Sequence, residues 1–372
     1  MNTTGDRKLL GKEYNISGIV GKHGKSTIAQ IIHHCYLALE IENNLESAEE
    51  FLKKIRSGSY EKNVKDVIIE VSMRAIKEKK ASYIDFDKLI FTNTGTSIDL
   101  NEKWTMMRPF IALPIGKTAI INIDDEHGIE LCAITVAKTI TYGLKETADI
   151  QARDIKLTLN KTEFDLYYQG NFICKTEIPY FGTYNLYNAL AVVAHFTSEG
   201  YNPVRIAQLL PSLPHLKGCF DTITTETGIT VVVDNGRTSV AIGTVLKSLT
   251  SVCQGNIITV FGADKHTTTA ERGAIGKNIL VHSKQAILTN SNPKVEEPQN
   301  IIYDIIKGDI RQNYRICLDR EKAIEIALKM AKPKDVVIIF GNIPEEIQST
   351  SEKKNAFCDK ITALYLVQKF EI

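Results

Sequence analysis

The sequence predicts an α/β protein of two domains, residues 1–214 and 215–372. Three observations predict it. Short β-branched runs alternate with helical segments in both halves, the pattern of a mostly parallel, doubly wound sheet. A glycine loop carrying a lysine and a serine lies between the first such run and the first helix. A small period-two meander ends the first series, and Pro211-Ser-Leu-Pro-His-Leu-Lys-Gly218 reads as a stiff junction before the second.

Taken in order, Ile16 to Val20 is a strand that enters the glycine turn, and the helix after the turn runs to about Glu40. A polar stretch, Glu42 to Glu50, precedes a helix near Ala48–Ser57. Asp66 to Ser72, Lys88 to Asn93, Thr118 to Asp124 and Thr139 to Gly143 are buried strands of the parallel sheet. Then the period drops to two. Ile155 to Leu159, Glu163 to Tyr168 and Asn171 to Ile178 form the antiparallel meander, with turns at Asn160-Lys161 and Gln169-Gly170. Helices follow over Asn185 to Glu199 and Pro203 to Leu210. Beyond the junction, strands are expected at Ile229–Asp234, Asn256–Gly262, Gln285–Asn290, Arg315–Leu318 and Asp335–Gly341. Helices centre on Val240–Ser251, Glu271–His282, Pro298–Lys307 and Glu321–Ala331, and a last one runs from Glu352 to Lys369.

Composition narrows the function classes. A chain of 372 residues, 43% hydrophobic and 24% charged, has room for two cores. A net charge of +1 gives no field that points to nucleic acid or a membrane surface. Met1 to Lys12 lacks the apolar stretch of a signal peptide, and no apolar run approaches the ~18 residues needed to span a bilayer. The cysteines (35, 132, 174, 219, 253, 317 and 358) are odd in number and form no C-x-x-C pair, so reduced thiols and a cytoplasmic location are expected. His33 and His34 share a helix without an H-x-x-x-H pair, and a zinc site is not supported.

The chemistry starts at the glycine turn. Gly21 and Gly24 allow backbone N–H groups to converge on phosphate oxygens without a Cβ in the way. Lys25 can reach the β- and γ-phosphates, the Ser26 hydroxyl can ligate Mg²⁺, and the helix start adds a positive dipole end. The spacing Gly18-x-x-Gly21-x-x-Gly24-Lys25-Ser26-Thr27 is one residue short of the usual G-x-x-x-x-G-K-S/T. Other polar residues cluster where strands end, as ligand sites of open α/β sheets do. Glu70 can complete a Mg²⁺ shell with Ser26 or stand as a solvated strand-end carboxylate. Thr92 and Asn93 end the next strand. Asp124-Asp125-Glu126-His127 is expected to cap the helix that follows it. In the second domain Asp234, Asn235 and Arg237, then Lys265, His266 and Thr267–Thr269, then Asn292-Pro293-Lys294, then Asp319-Arg320 follow successive strands. Several cations along one sheet edge suggest an active site with phosphates on the first domain and a second ligand on the second.

These motifs together resemble the Mur ligases, and within them the MurE type, over almost the whole chain from Ile16 onward. Gly18-Ile-Val-Gly-Lys-His-Gly-Lys-Ser-Thr27 resembles the family loop G-x-T-G-T-N-G-K-T-T, which accounts for the short spacing. Glu70-Val-Ser-Met-Arg-Ala75 resembles E-V-S-S-H-A, and Phe91-Thr-Asn93 resembles F-T-N. Thr141-Tyr-Gly143, Ala148-Asp149 and Asp154-Ile155 match a T-Y-G…A-D…D-I stretch. Gly182-Thr-Tyr-Asn185-Leu-Tyr-Asn188-Ala-Leu-Ala191 resembles G-x-F-N-x-x-N-x-L-A. Val233 to Thr238 resembles V-D-Y-A-H-T, Thr289 to Lys294 resembles T-S-D-N-P-R, and Asp319-Arg320 with Ala331 to Val337 matches D-R…A-K-P-G-D-V-V.

The resemblance implies a P-loop ATPase-like central domain, a Rossmann-like C-terminal domain and an ATP-dependent carboxylate–amine ligase that works through an acyl phosphate. By the match, ATP is held by Gly21, Lys22, His23, Gly24, Lys25, Ser26 and Thr27, with Asn185 and Asn188 on the nucleotide side. Mg²⁺ takes Ser26 and Glu70. Asp234, Asp319 and Arg320 lie near adenosine and ribose, and Arg237, Asn292 and Lys294 face the incoming amino acid. The departures point to muramyl and amino-acid recognition that is rebuilt or lost, with ATP binding retained. The loop lies so near the first residue that the family's amino-terminal UDP-binding domain is expected to be missing. The T-T-P segment that touches the muramyl precursor is absent from the Glu42–Glu50 region, which argues against a conventional peptidoglycan ligase. R-D-H-L-D reads Thr96-Ser-Ile-Asp-Leu100, and the lysine that becomes carbamylated has no counterpart between Trp104 and Pro114. Arg74 stands for the motif histidine, Cys219 for the G-R-M-E arginine, and Gly341-Asn-Ile-Pro-Glu345 for G-K-G-H-E. The first expectation is therefore a ligase acting on small-molecule carboxylate and amine substrates other than the UDP-muramyl peptide, with Arg74 supplying positive charge at the reaction centre. The alternative is a MurE-like ATP-binding protein without ligase activity, a partner or regulatory subunit.

Overall fold

A computed structural model describes residues 10, 13–60, 64–95, 98–145, 147–215, 220–263, 267–291, 297–307, 311–341 and 358–372. They divide into two compact units, one up to Leu157 and from Lys161 to His215, the other of Thr158–Asn160 and the residues after 215, each built around its own sheet.

In the first unit, strands and helices alternate as β1 (Asn15–Val20), α1 (Lys25–Ala38), β2 (Asn43–Ser47), α2 (Ala48–Ser57), β3 (Asp66–Glu70), α3 (Met73–Lys77), β4 (Lys88–Phe91), α4 (Leu100–Ile111), β5 (Thr118–Asn122), α5 (Gly128–Ile134) and β6 (Lys138–Gly143). The meander is β7 (Ile150–Leu157), β8 (Thr162–Tyr168) and β9 (Asn171–Ile178), followed by α6 (Thr183–Ser198) and α7 (Pro203–Leu209). The nine strands lie in the order β2-β3-β1-β4-β5-β6-β7-β8-β9, parallel through β7 and antiparallel after it. The inner strands are apolar because helices cover both faces. Ile16, Ile19 and Val20 of β1, and Leu89, Ile90 and Phe91 of β4, are fully buried.

Topology places the site. The chain leaves β1 through α1 to reach β2 beyond β3, then later returns to the other flank of β1 as β4. The carboxyl end of β1 is thus a switch point, where a crevice opens between diverging connections.

Two elements differ from expectation for physical reasons. The segment read as polar contains β2, an edge strand whose polar side chains find partners: Asn43 Oδ1 meets His33 Nδ1 at 2.6 Å, and Glu46 accepts from Lys54 Nζ at 2.7 Å. β7 begins at Ile150, not Ile155. Asp154 sits at φ 49° and the register shifts between Arg153 and Lys156, a bulge that interrupts the alternation and hides the first half of the strand.

The second unit holds β10 (Asp221–Thr224), β11 (Thr230–Asp234), α8 (Ser239–Val252), β12 (Ile257–Phe261), α9 (Thr269–His282), β13 (Gln285–Leu288), α10 (Pro298–Ile306), β14 (Tyr314–Ile316), α11 (Arg320–Met330), β15 (Val336–Phe340) and α12 (Asp359–Phe370). Its sheet runs β10-β11-β15-β12-β13-β14, with β10 antiparallel and the rest parallel. Strand β10 has no counterpart in the sequence reading: its Asp-Thr-Ile-Thr carries one apolar residue, too few for a periodic signal. Val231, Val233, Val260, Ile287, Val337 and Ile339 pack with Ile324, Leu328 and Leu366 of α11 and α12. The expected last helix is described from Asp359, and the part of it from Glu352 to Phe357 lies outside the described residues. Among the described residues no helix is long and apolar enough to cross a membrane.

Candidate active site

The loop between β1 and α1 is held by the strand beside it. Lys22 N–H donates to Asn93 O at 2.9 Å and His23 N–H to Asn93 Oδ1 at 3.2 Å. In return Thr92 Oγ1 donates to His23 O at 2.7 Å and Asn93 Nδ2 to the same oxygen at 3.1 Å. Sequence reasoning noted Thr92 and Asn93 as strand-end polar residues; their work as a clamp on the loop appears only in three dimensions.

The two loop glycines are there for space as well as conformation. A Cβ on Gly21, at φ 147°, would lie 2.0 Å from Thr92 Oγ1. A Cβ on Gly24, at φ 85°, would lie 2.5 Å from Asn188 Oδ1. Gly24 precedes the first turn of α1, whose free N–H groups face the loop with no side-chain cap among them. A loop that admits no Cβ, leading into a helix whose first amides are uncapped, fits a phosphate chain.

Lys25 Nζ donates to Gly21 O at 2.7 Å and to Lys22 O at 3.3 Å. Burial holds its pKa below the usual lysine value, and the nearby Glu70 carboxylate opposes the shift. Ser26 Oγ donates to Glu70 Oε2 at 2.6 Å, which joins the first turn of α1 to the end of β3 across 44 residues of sequence. Among the described residues no group of three or more His, Cys, Asp or Glu side chains is placed to hold a metal. A hydroxyl and one carboxylate nevertheless fit Mg²⁺, which keeps several waters and takes further oxygens from substrate phosphates. Thr27 follows in the same turn, half-buried.

On α6, Asn185 and Asn188 are buried. Asn188 Nδ2 donates to Asn185 Oδ1 at 3.3 Å, and Asn185 Nδ2 donates to Phe181 O at 2.9 Å. Asn188 therefore borders the loop while Asn185 orients it. The acidic run behind the loop meets α5 at its N-cap residue: the His127 side chain makes no cap bond, and Asp125 Oδ1 accepts from His127 N–H at 3.1 Å. Asp124 instead accepts from Leu144 N–H at 2.6 Å and Tyr187 OH at 2.7 Å, and Asp125 from Thr94 N–H at 2.9 Å. Two carboxylates thus tie together the loops at the sheet's carboxyl edge.

Arg74 lies on α3 with its side chain 78% exposed, and its Nε donates to Oε1 of Glu78, the C-cap residue of that helix, at 2.6 Å. No described contact brings it to the loop.

In the second unit the expected residues are engaged locally. Asp234, at the end of β11, accepts from Phe220 N–H at 3.1 Å and Gly236 N–H at 2.8 Å. Burial pushes its carboxyl up to about 6, against those two bonds. Asp319 caps α11 by accepting from Lys322 N–H at 3.1 Å. Arg320 forms a buried two-pronged pair with Asp359, at 2.7 and 2.8 Å, and donates to Phe340 O at 3.1 Å. Its motif position suggested nucleotide contact; its guanidinium anchors α12 to the sheet. Arg237 is exposed and donates to Asn235 Oδ1 at 3.1 Å, beside a small crevice shared with Gly262, Ser291 and Gly341 at the carboxyl edge. Asn292 and Lys294 lie outside the described residues, as do Thr96, Ser97, Cys219, Lys265, His266 and the 342–345 segment.

Comparison with known proteins bears on both units. Residues 19–196 match the family model of the Mur ligase middle domain, and residues 219–343 that of the Mur ligase, glutamate ligase domain. A UDP-N-acetylmuramoyl-L-alanyl-D-glutamate–2,6-diaminopimelate ligase 1 of Clostridium acetobutylicum is 33% identical over 83% of this chain and 65% of its own length. The ligase of that name from Parabacteroides distasonis is 30% identical over 95% of this chain and 77% of its own. The chain thus spans about two thirds of the first relative and three quarters of the second. Among solved structures, a UDP-N-acetylmuramoyl-L-alanyl-D-glutamate–2,6-diaminopimelate ligase superposes with a TM-score of 0.69 at 21% identity, covering 97% of this chain and 80% of that one. A MurF ligase from Thermotoga maritima in complex with ADP gives 0.71 at 16%, covering 96% and 80%. Those two likenesses speak to the fold. With both family domains matched in order, and a relative at 30% identity aligned over nearly all of the sequence, the chain belongs to the Mur ligase family.

Proposed function

We propose that the chain is an ATP-dependent ligase that joins an amine or amino acid to a carboxylate other than a UDP-muramyl peptide, through an acyl phosphate. The observation that carries this reading is the loop itself: two glycines with no room for a Cβ, uncapped amides at the start of α1, and Ser26 bonded to Glu70 at 2.6 Å. A carboxylate oxygen takes the γ-phosphoryl group and ADP leaves. The amine then bonds to the acyl carbon, inorganic phosphate departs, and the amine nitrogen loses its proton.

The chain's own residues position and neutralise charge in this scheme, which is most of what phosphoryl transfer requires. The uncapped amides of the first turn of α1, from Lys25 to Thr27, cradle the phosphates, with Gly21, His23 and Gly24 in the loop before them. Lys25 leaves its two carbonyl partners to pair with phosphate oxygen. Ser26 and Glu70 would hold Mg²⁺, which supplies further charge neutralisation when bound. Arg237, Asn292 and Lys294 would serve the incoming amine substrate. The altered motifs after Phe91-Thr-Asn93, and the missing T-T-P segment, support a carboxylate that is not the muramyl peptide.

The test is incubation with Mg·ATP and pools of amino acids and carboxylates. ADP release that depends on both, with a new amide mass, is the expected result. Tight ATP binding with no acceptor-dependent ADP from any pool would replace the reading with an ATP-binding protein that lacks ligase chemistry.

A further inference from the structure

Two lysines leave the phosphate loop in different directions. Lys25 folds back onto the carbonyls of Gly21 and Lys22. Lys22 is exposed, and among the described residues its ammonium has no hydrogen-bond or carboxylate partner. Yet its stem is fixed. It crosses Gly95, where Lys22 Cδ lies 2.7 Å and Cγ 3.5 Å from the place a Cβ would occupy. Gly95 holds φ 74°, so both its conformation and its bareness suit the crossing lysine. Lys22 N–H is tied to Asn93 O in the same segment.

Gly95 follows β4, whereas Glu70 ends β3, and these strands flank β1 on opposite sides. A phosphate chain seated on Gly21 to Ser26 therefore meets an oxygen pair suited to a divalent cation on its β3 side. On its β4 side it meets a lysine with a braced stem and an uncommitted charge. Arg74, the cation that the sequence suggested for the reaction centre, is paired with Glu78.

We propose that Lys22 is a second phosphate lysine and a catalytic residue, holding the terminal phosphoryl group from the β4 side while the acceptor carboxylate approaches it. This rests on the ATP-dependent ligase reading. Both reactants are anions, and their repulsion must be offset before a carboxylate oxygen can bond to the γ-phosphorus. As that bond forms, the bond from the γ-phosphorus to the bridging oxygen breaks and its electron pair leaves with ADP. Lys22 keeps its proton throughout and acts as a fixed charge.

The experiment is calorimetric titration of the full chain with Mg·ADP and with the β,γ-imido analogue of Mg·ATP, for wild type, Lys22→Gln and Lys22→Arg. Lys22→Gln is expected to weaken the imido-ATP complex by about tenfold to a hundredfold and to leave Mg·ADP within about twofold. The unchanged Mg·ADP affinity also shows that the variant is folded. Lys22→Arg should restore most of the difference. Equal weakening of both nucleotides, or of neither, overturns the proposal. A wild-type protein that binds neither nucleotide overturns the nucleotide reading beneath it instead.

Discussion

At Gly21 conformation and packing impose the same requirement. The residue holds φ 147°, and a side chain there would run into Thr92 Oγ1 at 2.0 Å, the hydroxyl that secures His23 O. Gly21→Ala must therefore displace either the loop or Thr92. We expect Mg·ADP affinity to fall at least about tenfold, with a strain of roughly 1–3 kcal/mol. Adding Thr92→Ala to that variant removes the clash but not the strained backbone, so titration should show partial recovery. Full recovery would mean that contact alone requires the glycine. The loop was legible in the sequence because its function is local: glycines, a lysine and a serine in one short run. The Thr92–Asn93 clamp was half legible, since the polar residues showed but their target did not. Arg320 was read through its motif neighbours. Its partner Asp359 is 39 residues away, and a buried ion pair leaves no periodicity to find.

Among the elements, α6 and α12 are each fixed by buried titratable side chains. On α6, His195 is fully buried against Tyr36 of α1, with Nε2 3.0 Å from the Tyr36 hydroxyl. Tyr36 OH donates to Glu199 at 2.7 Å, so the ring carries its proton on Nε2 and leaves Nδ1 without a partner. Burial, with Lys88 adding to it and Glu199 opposing, lowers the imidazole to about 4. Lys88 Nζ lies 3.0 Å from Glu199 and donates to Asn15 at 2.7 Å, and Asp66 accepts from Asn15 on the same side. The unfolded chain binds a proton at His195 near pH 6.5 and the folded chain only near 4. Stability from this site is therefore complete above about pH 6.5 and is lost as pH falls toward 4, by up to about 3 kcal/mol. Urea unfolding at stepped pH should show that slope in the wild type and a flatter one in His195→Phe. Parallel curves would show that the histidine does not set the acid response. On α12, Asp359→Ala leaves the Arg320 guanidinium buried without its carboxylate, and unfolding should record a loss of about 3–5 kcal/mol.

For the whole molecule the question is which unit holds the nucleotide. Each unit has its own sheet and core and is large enough to melt as a cooperative block. Lys25, Ser26, Glu70 and the loop amides all belong to the first unit. Asp234, Asp319 and Arg320, which the family motifs placed near the nucleoside, already have partners inside the second. Ligand that binds one folded unit stabilises that unit by mass action, about 2.7 kcal/mol at a hundredfold excess over the dissociation constant. Scanning calorimetry should therefore resolve two transitions, and Mg·ADP should raise the first unit's midpoint while leaving the second unchanged. Asp359→Ala identifies the second transition, because only that one should fall. If Mg·ADP raises both midpoints, the second unit's polar residues exchange their present partners for the nucleoside. If it raises only the transition that Asp359→Ala lowers, the phosphate loop is not the principal site, and the reading built on Ser26 and Glu70 fails with it.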